Sequence, residues 1–430
     1  MKNVSATRRV HDDERENIVV SEILELIMKN ELKSYDTLRL VASENIPDVE
    51  ERLPFMLDLF SRYSFNNTET WKYPSYYLDE IENNVESMLK DYLDCKFVSV
   101  KPISGLNGML STIAAFNELG DLVLSLDPKD GGHLETSGII KKIGLESEYL
   151  PFDKKKWKID VEKLKSFKDL ERVQMVYIDL CMVAFPQPIR ELKEVLPKKT
   201  ILVYDASHVF GLILGNQFQQ PLLEGADIML ANTHKTFPGP HKAVFATNRK
   251  LLKWQFEQSS GHFVSHHHMA DVSCLGLVLE KGKEYFEMYA SETVRNAGKL
   301  AEIMNKNGIH VQLEHLNYTA CHQLWIECGD KSSVDEVIDL LSGIDIIVNG
   351  ALIPSLNGGW GIRIGVQEIT KHQITDEGIE IVGDILTSAI IERKISDELK
   401  IKKDHLMKFC FGKMIDKNKV QNIIRILTER

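Results

Sequence analysis

Short apolar runs with little polar alternation recur through the middle of the chain. They read FVSVKP at 97–102, DLVLSL at 121–126, QMVYIDL at 174–180, TILVYD at 200–205 and DIMLAN at 227–232, with helix-length segments between them. A strand that is apolar on both faces belongs in a sheet covered on both sides, and helix-length spacers make such a sheet parallel. The pattern on either side differs. Ile18, Val19, Ile23, Leu24 and Ile27 recur at helical spacing and predict an arm helix over 17–31. A second helix is predicted over 79–93. Beyond about 290 come a long helix near 286–307, half-alternating strands HVQLEHL (310–316) and CHQLWIEC (321–328), and helices at 333–342 and 374–393. The last 35 residues are Lys-rich and helical in pattern. The predicted architecture is α/β, with a mostly parallel central sheet sandwiched by helices and a smaller α+β C-terminal domain. The expected boundaries are 1–50 for an N-terminal arm, 51–290 for the large domain and 291–430 for the small one.

Composition narrows the class without changing that picture. The 430 residues are 43% hydrophobic and 27% charged, ordinary values for a globular protein. A formal net charge of −11 argues against nucleic acid or an anionic membrane as partner, and leaves room for a local basic pocket. No apolar run approaches the roughly 18 residues of a membrane span. Arg8 and Arg9 are followed by no apolar segment, so no secretory or twin-arginine signal is expected. Cysteines 95, 181, 274, 321, 328 and 410 form no C-x-x-C pair and suit free thiols in a reducing compartment. The expected setting is cytoplasmic.

The candidate chemistry gathers where these strands end. In an open parallel sheet, ligands sit beyond the carboxyl ends of the strands. Asp205 closes TILVYD, with His208 three residues on; alone, such an aspartate reads more readily as a helix cap than as a catalytic acid. After VSVKPI, Ser104 and Gly105 open a helical stretch, either a phosphate cradle or a plain strand–helix turn. His133 follows two glycines in DPKDGGHL and is either a ring for stacking or a loop histidine. Lys235 follows DIMLAN, beside His234, with a Pro/Gly-rich exit. Arg363, in GGWGIRIGVQ, suits a carboxylate or a structural ion pair. One cofactor uses the whole set. Pyridoxal 5'-phosphate takes a lysine for an imine, an acid at its ring nitrogen, an anion cradle and a stacking ring, and an amino acid substrate adds an arginine. The imine also removes the cost of burying an ammonium. The triple histidine in SHHHM (265–269) is a weak metal motif, because adjacent side chains diverge. No metal is expected.

From about residue 38 to 385 the chain resembles the serine (glycine) hydroxymethyltransferases, pyridoxal-phosphate enzymes of fold type I. The shared motifs are LVASEN (40–45), DGGHL (130–134), YDASHVFGLI (204–213), THKTFPGP (233–240) and GIRIG (361–365). The resemblance implies Lys235 as the Schiff-base lysine, Asp205 at the pyridinium, His133 stacked on the ring and His208 near the ring hydroxyl. It implies Ser104, Gly105 and His234 around the cofactor, and Ser43 and Arg363 at the substrate carboxylate. It also implies a homodimer whose active sites draw on both chains.

Departures from the family pattern point to one branch. The segment that carries a catalytic glutamate and folate-binding tyrosines in the family reads TETWKYPSYYLDEIE here, with Trp71 in the glutamate's place and Glu69 two residues away. The phosphate turn reads SGLNG, and the arginine motif continues GVQ where the family has Gly-Thr-Pro. These features resemble the L-threonine transaldolases of the same superfamily. They imply folate-independent making or breaking of the Cα–Cβ bond of β-hydroxy-α-amino acids through a glycyl carbanion, with Trp71 and Tyr73 against an aldehyde. Folate-dependent hydroxymethyl transfer and a catalytically inert homologue stand as alternatives. Glu44, Glu69, His133 and His208 are the candidate bases.

Overall fold

The computed structural model describes residues 22–64, 74–354 and 359–408. Five of the predicted apolar runs become strands of one seven-stranded sheet. Its strands are β1 (Phe97–Ser99), β2 (Leu122–Ser125), β3 (Glu146–Tyr149), β4 (Val173–Ile178), β5 (Ile201–Asp205), β6 (Ile228–Asn232) and β7 (Ala243–Thr247). Their spatial order is β1-β7-β6-β5-β4-β2-β3, and only β7 runs against its neighbours.

Successive side chains leave a strand on opposite faces, and here each face meets its own apolar layer. The arm helix is α1 (Glu22–Tyr35), and the helices packed on the sheet include α2 (Leu78–Leu93), α3 (Gly105–Phe116), α4 (Lys250–Ser260) and α5 (Met269–Leu279). Tyr177, Val203, Leu230 and Phe245 pack with Met109, Ile113 and Phe116 of α3 and Phe256 of α4. Val176, Leu202, Tyr204 and Met229 pack with Val85 and Leu89 of α2 and Leu275 of α5. Two covered faces are the reason these strands show so little polar alternation. Each fully buried side chain of this size contributes about 1.5–3 kcal/mol.

The helix α6 (Lys283–Lys306) crosses the expected 290/291 boundary. Its Phe286, Tyr289 and Ala290 lie in the large core, whereas Ala297, Leu300, Ala301 and Met304 lie in a second core. That second core sits under an antiparallel sheet of β8 (Gln323–Gly329), β9 (Asn349–Ile353) and β10 (Gly359–Gly365), in the order β8-β10-β9. The helices α7 (Lys331–Ser342), α8 (Asp376–Thr387) and α9 (Asp397–Leu406) supply much of the rest. The arm joins the same core: Leu38–Arg39 pairs in parallel with Ile346–Ile347, and Leu38 and Leu40 are fully buried.

Two sequence expectations need correction. HVQLEHL is not a strand; it keeps one bridge, Val311 to Ile326, and then forms a short 3-10 turn at Glu314–Leu316. Leu313, Asn317 and Tyr318 all take positive φ there, which no strand can accommodate. The arm helix runs to Tyr35, four residues past the predicted end, and its Ile23, Leu26 and Ile27 are exposed in the protomer. No described helix is long and apolar enough to cross a membrane. Cys95, Cys181, Cys274, Cys321 and Cys328 form no disulfide, and Cys410 lies outside the described residues.

Candidate active site

The adjacent strands β4, β5 and β6 end side by side, and the residues just past them line one pocket. It holds Asp179, Leu180 and Cys181 after β4, Asp205, Ser207 and His208 from the end of β5, and Asn232 and Lys235 from the end of β6. His133 comes from the loop after β2, and Gly105, Leu106 and Met109 from the start of α3.

Asp205 is aimed by two donors. The Tyr177 hydroxyl donates to Oδ2 at 2.9 Å, and the Ser207 amide to Oδ1 at 2.9 Å. Burial, with the Asp205 charge adding, pushes the Tyr177 phenol well above its usual range, so it remains a donor. Asp205 is therefore an oriented carboxylate facing the pocket, and not simply a cap.

Lys235 sits on a closed loop. The Thr233 hydroxyl donates to the Pro240 carbonyl at 2.6 Å, and the Gly239 amide to the Thr233 carbonyl at 2.9 Å. The Tyr289 hydroxyl donates to the Thr236 carbonyl at 2.8 Å. Gly211 packs against the same loop so closely that a Cβ there would lie 2.4 Å from the Thr236 oxygen. The loop places Lys235 Nζ 3.1 Å from His208 Nε2. Desolvation lowers the lysine's pKa; Cys181 and Asp205 oppose that shift, and Arg363 adds to it. A less basic, half-buried amine is a better nucleophile toward a carbonyl. The next lysine in the sequence, Lys242, is buried and donates to the His267 carbonyl at 2.6 Å, far from such a role. His234 stacks on His241 at 4.1 Å, and burial first holds its imidazole down to about 3.

The other predicted groups come from the arm, the β2 loop and the small domain. His133 is half-buried; its Nδ1 accepts from the Glu135 amide at 3.3 Å, and desolvation lowers its pKa. Arg363 is buried on β10. Its Nε donates to Asn349 Oδ1 at 3.1 Å and its Nη1 to the Cys181 carbonyl at 3.3 Å. Ser43 lies half-buried in a turn held from three sides. The Gly365 amide donates to the Leu40 carbonyl, Gln367 Nε2 to the carbonyls of Val41 and Glu44 at 2.6 and 2.7 Å, and His322 Nε2 to the Ala42 carbonyl at 3.0 Å. The GVQ departure thus has a structural use, since Gln367 clamps the turn that presents Ser43. Glu44 does not line the pocket; it is exposed and pairs with Arg39 at 3.3 Å. Glu69, Trp71 and Tyr73 lie outside the described residues.

Sequence reasoning missed Tyr177, Cys181, Asn232, Gln323 and Gln367. Their signal was weak but present: each is a polar or sulfur-bearing residue in or beside an otherwise apolar run. The SHHHM histidines take different partners, with the His266 and His268 rings 5.2 Å apart. His266 bonds to the Arg62 carbonyl and lies against Tyr63, His267 is buried on Glu82 at 2.9 Å, and His268 is exposed near Asp271. No group of metal-ligating side chains with metal-site geometry occurs among the described residues.

Two features of the pocket fit a phosphorylated, ring-bearing cofactor. Ser104 caps α3, its hydroxyl accepting from the Asn107 amide at 3.2 Å, and the helix starts at the pocket wall. A helix start of this kind presents backbone N–H groups to an anion. Gly105 keeps that wall open, because a Cβ would strike the Asn232 side-chain oxygen at 1.9 Å. That oxygen is itself buried without a hydrogen-bond partner, as a ligand-facing group would be. The amine, carboxylate and imidazole that pyridoxal phosphate requires face the same pocket.

A wider cleft adjoins it, sharing Cys181, and Gly132 and Arg363 line the cleft. Its walls are largely apolar, with Leu134, Met182, Leu352, Ile353 and Trp360, and Lys129 and Lys154 also line it.

His322 gives the site a pH signature. Its burial pushes the imidazole down to about 3, whereas an unfolded histidine titrates near 6.5. Between those values the unfolded chain holds an extra proton. The stability His322 contributes is therefore complete above about pH 6.5 and is lost as pH falls toward 3. His322→Gln keeps a donor for the Ala42 carbonyl and removes the titration. Relative to that variant, the parent loses about 2 kcal/mol of stability between pH 7 and 5. Urea unfolding of both proteins across this range checks it; parallel pH curves would contradict the assignment.

Comparison with known proteins agrees with this geometry. Residues 17–386 match the family model for serine hydroxymethyltransferase. A serine hydroxymethyltransferase of Archaeoglobus fulgidus is 30% identical over 409 residues, covering 93% of each chain. One from Methanopyrus kandleri is 32% identical over 374 residues, 84% of this chain and 87% of that one. The crystal structure of an L-threonine transaldolase from Pseudomonas fluorescens superposes with a TM-score of 0.85 at 25% identity, covering 90% of both chains.

Proposed function

Starting from the chain's membership of the serine hydroxymethyltransferase family, we propose that it is a pyridoxal-phosphate enzyme acting on the Cα–Cβ bond of β-hydroxy-α-amino acids, as a folate-independent L-threonine transaldolase or aldolase. The observation that carries the finer reading is the apolar wall of the cleft beside Arg363, formed by Leu134, Met182, Leu352, Ile353 and Trp360. Such a wall suits a neutral aldehyde and limits the access of water to a carbanion. The likeness to a transaldolase structure supports the same reading.

When bound, pyridoxal phosphate supplies an electron sink for the pair released at Cα. Lys235 would hold it as a covalent anchor. Asp205 holds a proton on the ring nitrogen. Ser104, Gly105 and the start of α3 hold the phosphate, with His133 against the ring and His234 beside the anchor. Arg363 and Ser43 would grip the substrate carboxylate and so orient the bonds at Cα for cleavage. The bare nitrogens of His133 and His208 are both engaged, by the Glu135 amide and by Gln323. Of the candidate carboxylates, Glu44 is held on Arg39 outside the pocket, which leaves Glu69 to take the substrate hydroxyl proton. Trp71 and Tyr73 complete the aldehyde site. The working unit is a homodimer, in which a second copy covers the exposed Ile23, Leu26 and Ile27 of the arm.

A second reading has its own support. Lys129 and Lys154 line the cleft and suit an anionic second substrate such as folate, and the sequence relatives are hydroxymethyltransferases. Initial rates separate the two. The expected result is acetaldehyde release from threonine without folate, with an added aromatic aldehyde captured as a β-hydroxy amino acid, by a species that sediments as a dimer. Faster cleavage of serine with an absolute need for tetrahydrofolate would establish the second reading, and full activity in a monomer would remove the shared-site assembly.

A further inference from the structure

His208 lies between Lys235 and a residue that neither the motifs nor the proposed chemistry explain. Gln323 stands on β8, two residues from Trp325, and its side-chain amide touches three groups. Trp325 Nε1 lies 3.1 Å from Oε1, the Cys181 carbonyl 3.2 Å from Nε2, and His208 Nδ1 3.0 Å from Nε2. The orientation of this amide is not arbitrary. An indole N–H can only donate, so Oε1 must face Trp325, and a backbone carbonyl can only accept, so Nε2 must face Cys181. The amide N–H group therefore points at His208 Nδ1, and that nitrogen must accept.

We propose that Gln323, oriented by Trp325 and the Cys181 carbonyl, fixes the tautomer of His208, so that its imidazole carries the proton on Nε2 and presents an N–H to Lys235. The two ring nitrogens of a neutral histidine divide the roles of donor and acceptor, and a partner on one decides the other. His208 is held neutral by its surroundings: it is buried, with Lys235, Arg363, His322 and His133 all disfavouring a further positive charge. The ring lies parallel to His322 at 6.0 Å, and that neighbour donates to the Ala42 carbonyl.

The consequence reaches the amine. An Nε2–H at 3.1 Å from Lys235 Nζ needs a lone pair to point at. An ammonium offers none, so the locked tautomer favours the neutral, nucleophilic form of Lys235 beyond what desolvation alone does. Gln323 is a positioning residue acting through His208. Its register links it to the substrate side of the site: Gln323 pairs with Gly365 and Trp325 with Arg363 across β8 and β10. Position of the proton on His208 does not depend on the proposed reaction; only its effect on Lys235 as the cofactor's anchor does.

Two-bond 1H–15N correlation spectra of the full-length protein, labelled with 15N-histidine and loaded with pyridoxal phosphate, read the tautomer directly. His208→Asn identifies the signal by its loss. The expected parent spectrum shows Nε2 protonated and Nδ1 bare between about pH 6 and 9, with the other tautomer disfavoured on the order of tenfold, the worth of one hydrogen bond. In Gln323→Glu a carboxylate faces Nδ1, and Nδ1 gains a proton. A parent spectrum with Nδ1–H overturns the proposal without any variant, as does a folded Gln323→Glu protein whose Nδ1 stays bare. Because these spectra do not require turnover, their outcome is separate from that of the threonine assay.

Discussion

Lys235→Ala protein, loaded with pyridoxal phosphate, treated with borohydride and then denatured, is expected to release all of its cofactor, whereas the parent keeps it covalently bound. Cleavage of β-hydroxy amino acids should fall by on the order of 10⁴-fold or more, the scale seen when a covalent catalyst is removed. The geometry makes the choice of lysine specific. Lys235 Nζ is in the pocket with its pKa lowered, while Lys242 has its ammonium buried on the His267 carbonyl. A borohydride-fixed peptide carrying the cofactor on Lys242 would refute the assignment.

Asp205→Asn should keep the fold and lose the chemistry. Asp205 accepts two hydrogen bonds, and an asparagine retains one oxygen for the fixed Ser207 amide. The Tyr177 hydroxyl can rotate and accept from the new NH₂ group, so the contact between the two side chains is kept. The negative charge, however, is gone. A preorganised charge at a reacting centre is worth about 3 kcal/mol or more, so turnover drops by on the order of 10²-fold or further while cofactor binding persists. Single-turnover measurements with threonine provide the check. A rate within a few-fold of the parent would remove Asp205 from its role at the ring nitrogen.

These two residues were also the most legible in the sequence, for a physical reason. A charged side chain directly after a doubly buried strand stands out against its surroundings, and the topology of parallel sheets says where that strand end points. The partners that make Asp205 and Lys235 effective were harder to read. Tyr177 is one more aromatic in an apolar strand until β4 is seen to lie beside β5, and Gln323 has no meaning before β8 is brought to His208. Both contacts span long separations, which local periodicity does not encode. The failed strand at 310–316 has the opposite cause. Its alternation was local and genuine, but positive φ at Leu313 breaks the run, and Asn317 and Tyr318 continue the turn beyond it. Gln367 was visible only as a departure from the family motif, and its clamp on the Val41–Glu44 turn supplies the reason.

Tyr289 carries a consequence for how such a molecule can be altered. Its hydroxyl meets the Thr236 carbonyl on the lysine loop, the Asn45 amide on the arm and, at 3.3 Å, the Gln367 carbonyl that follows the arginine strand. The helix that bears it is rooted in both cores. The two halves therefore have no clean seam. A graft that exchanges the C-terminal half for that of a relative must carry the whole helix, the arm turn and the lysine loop with it. A splice made inside the helix severs both cores at once and separates Arg363 from Lys235.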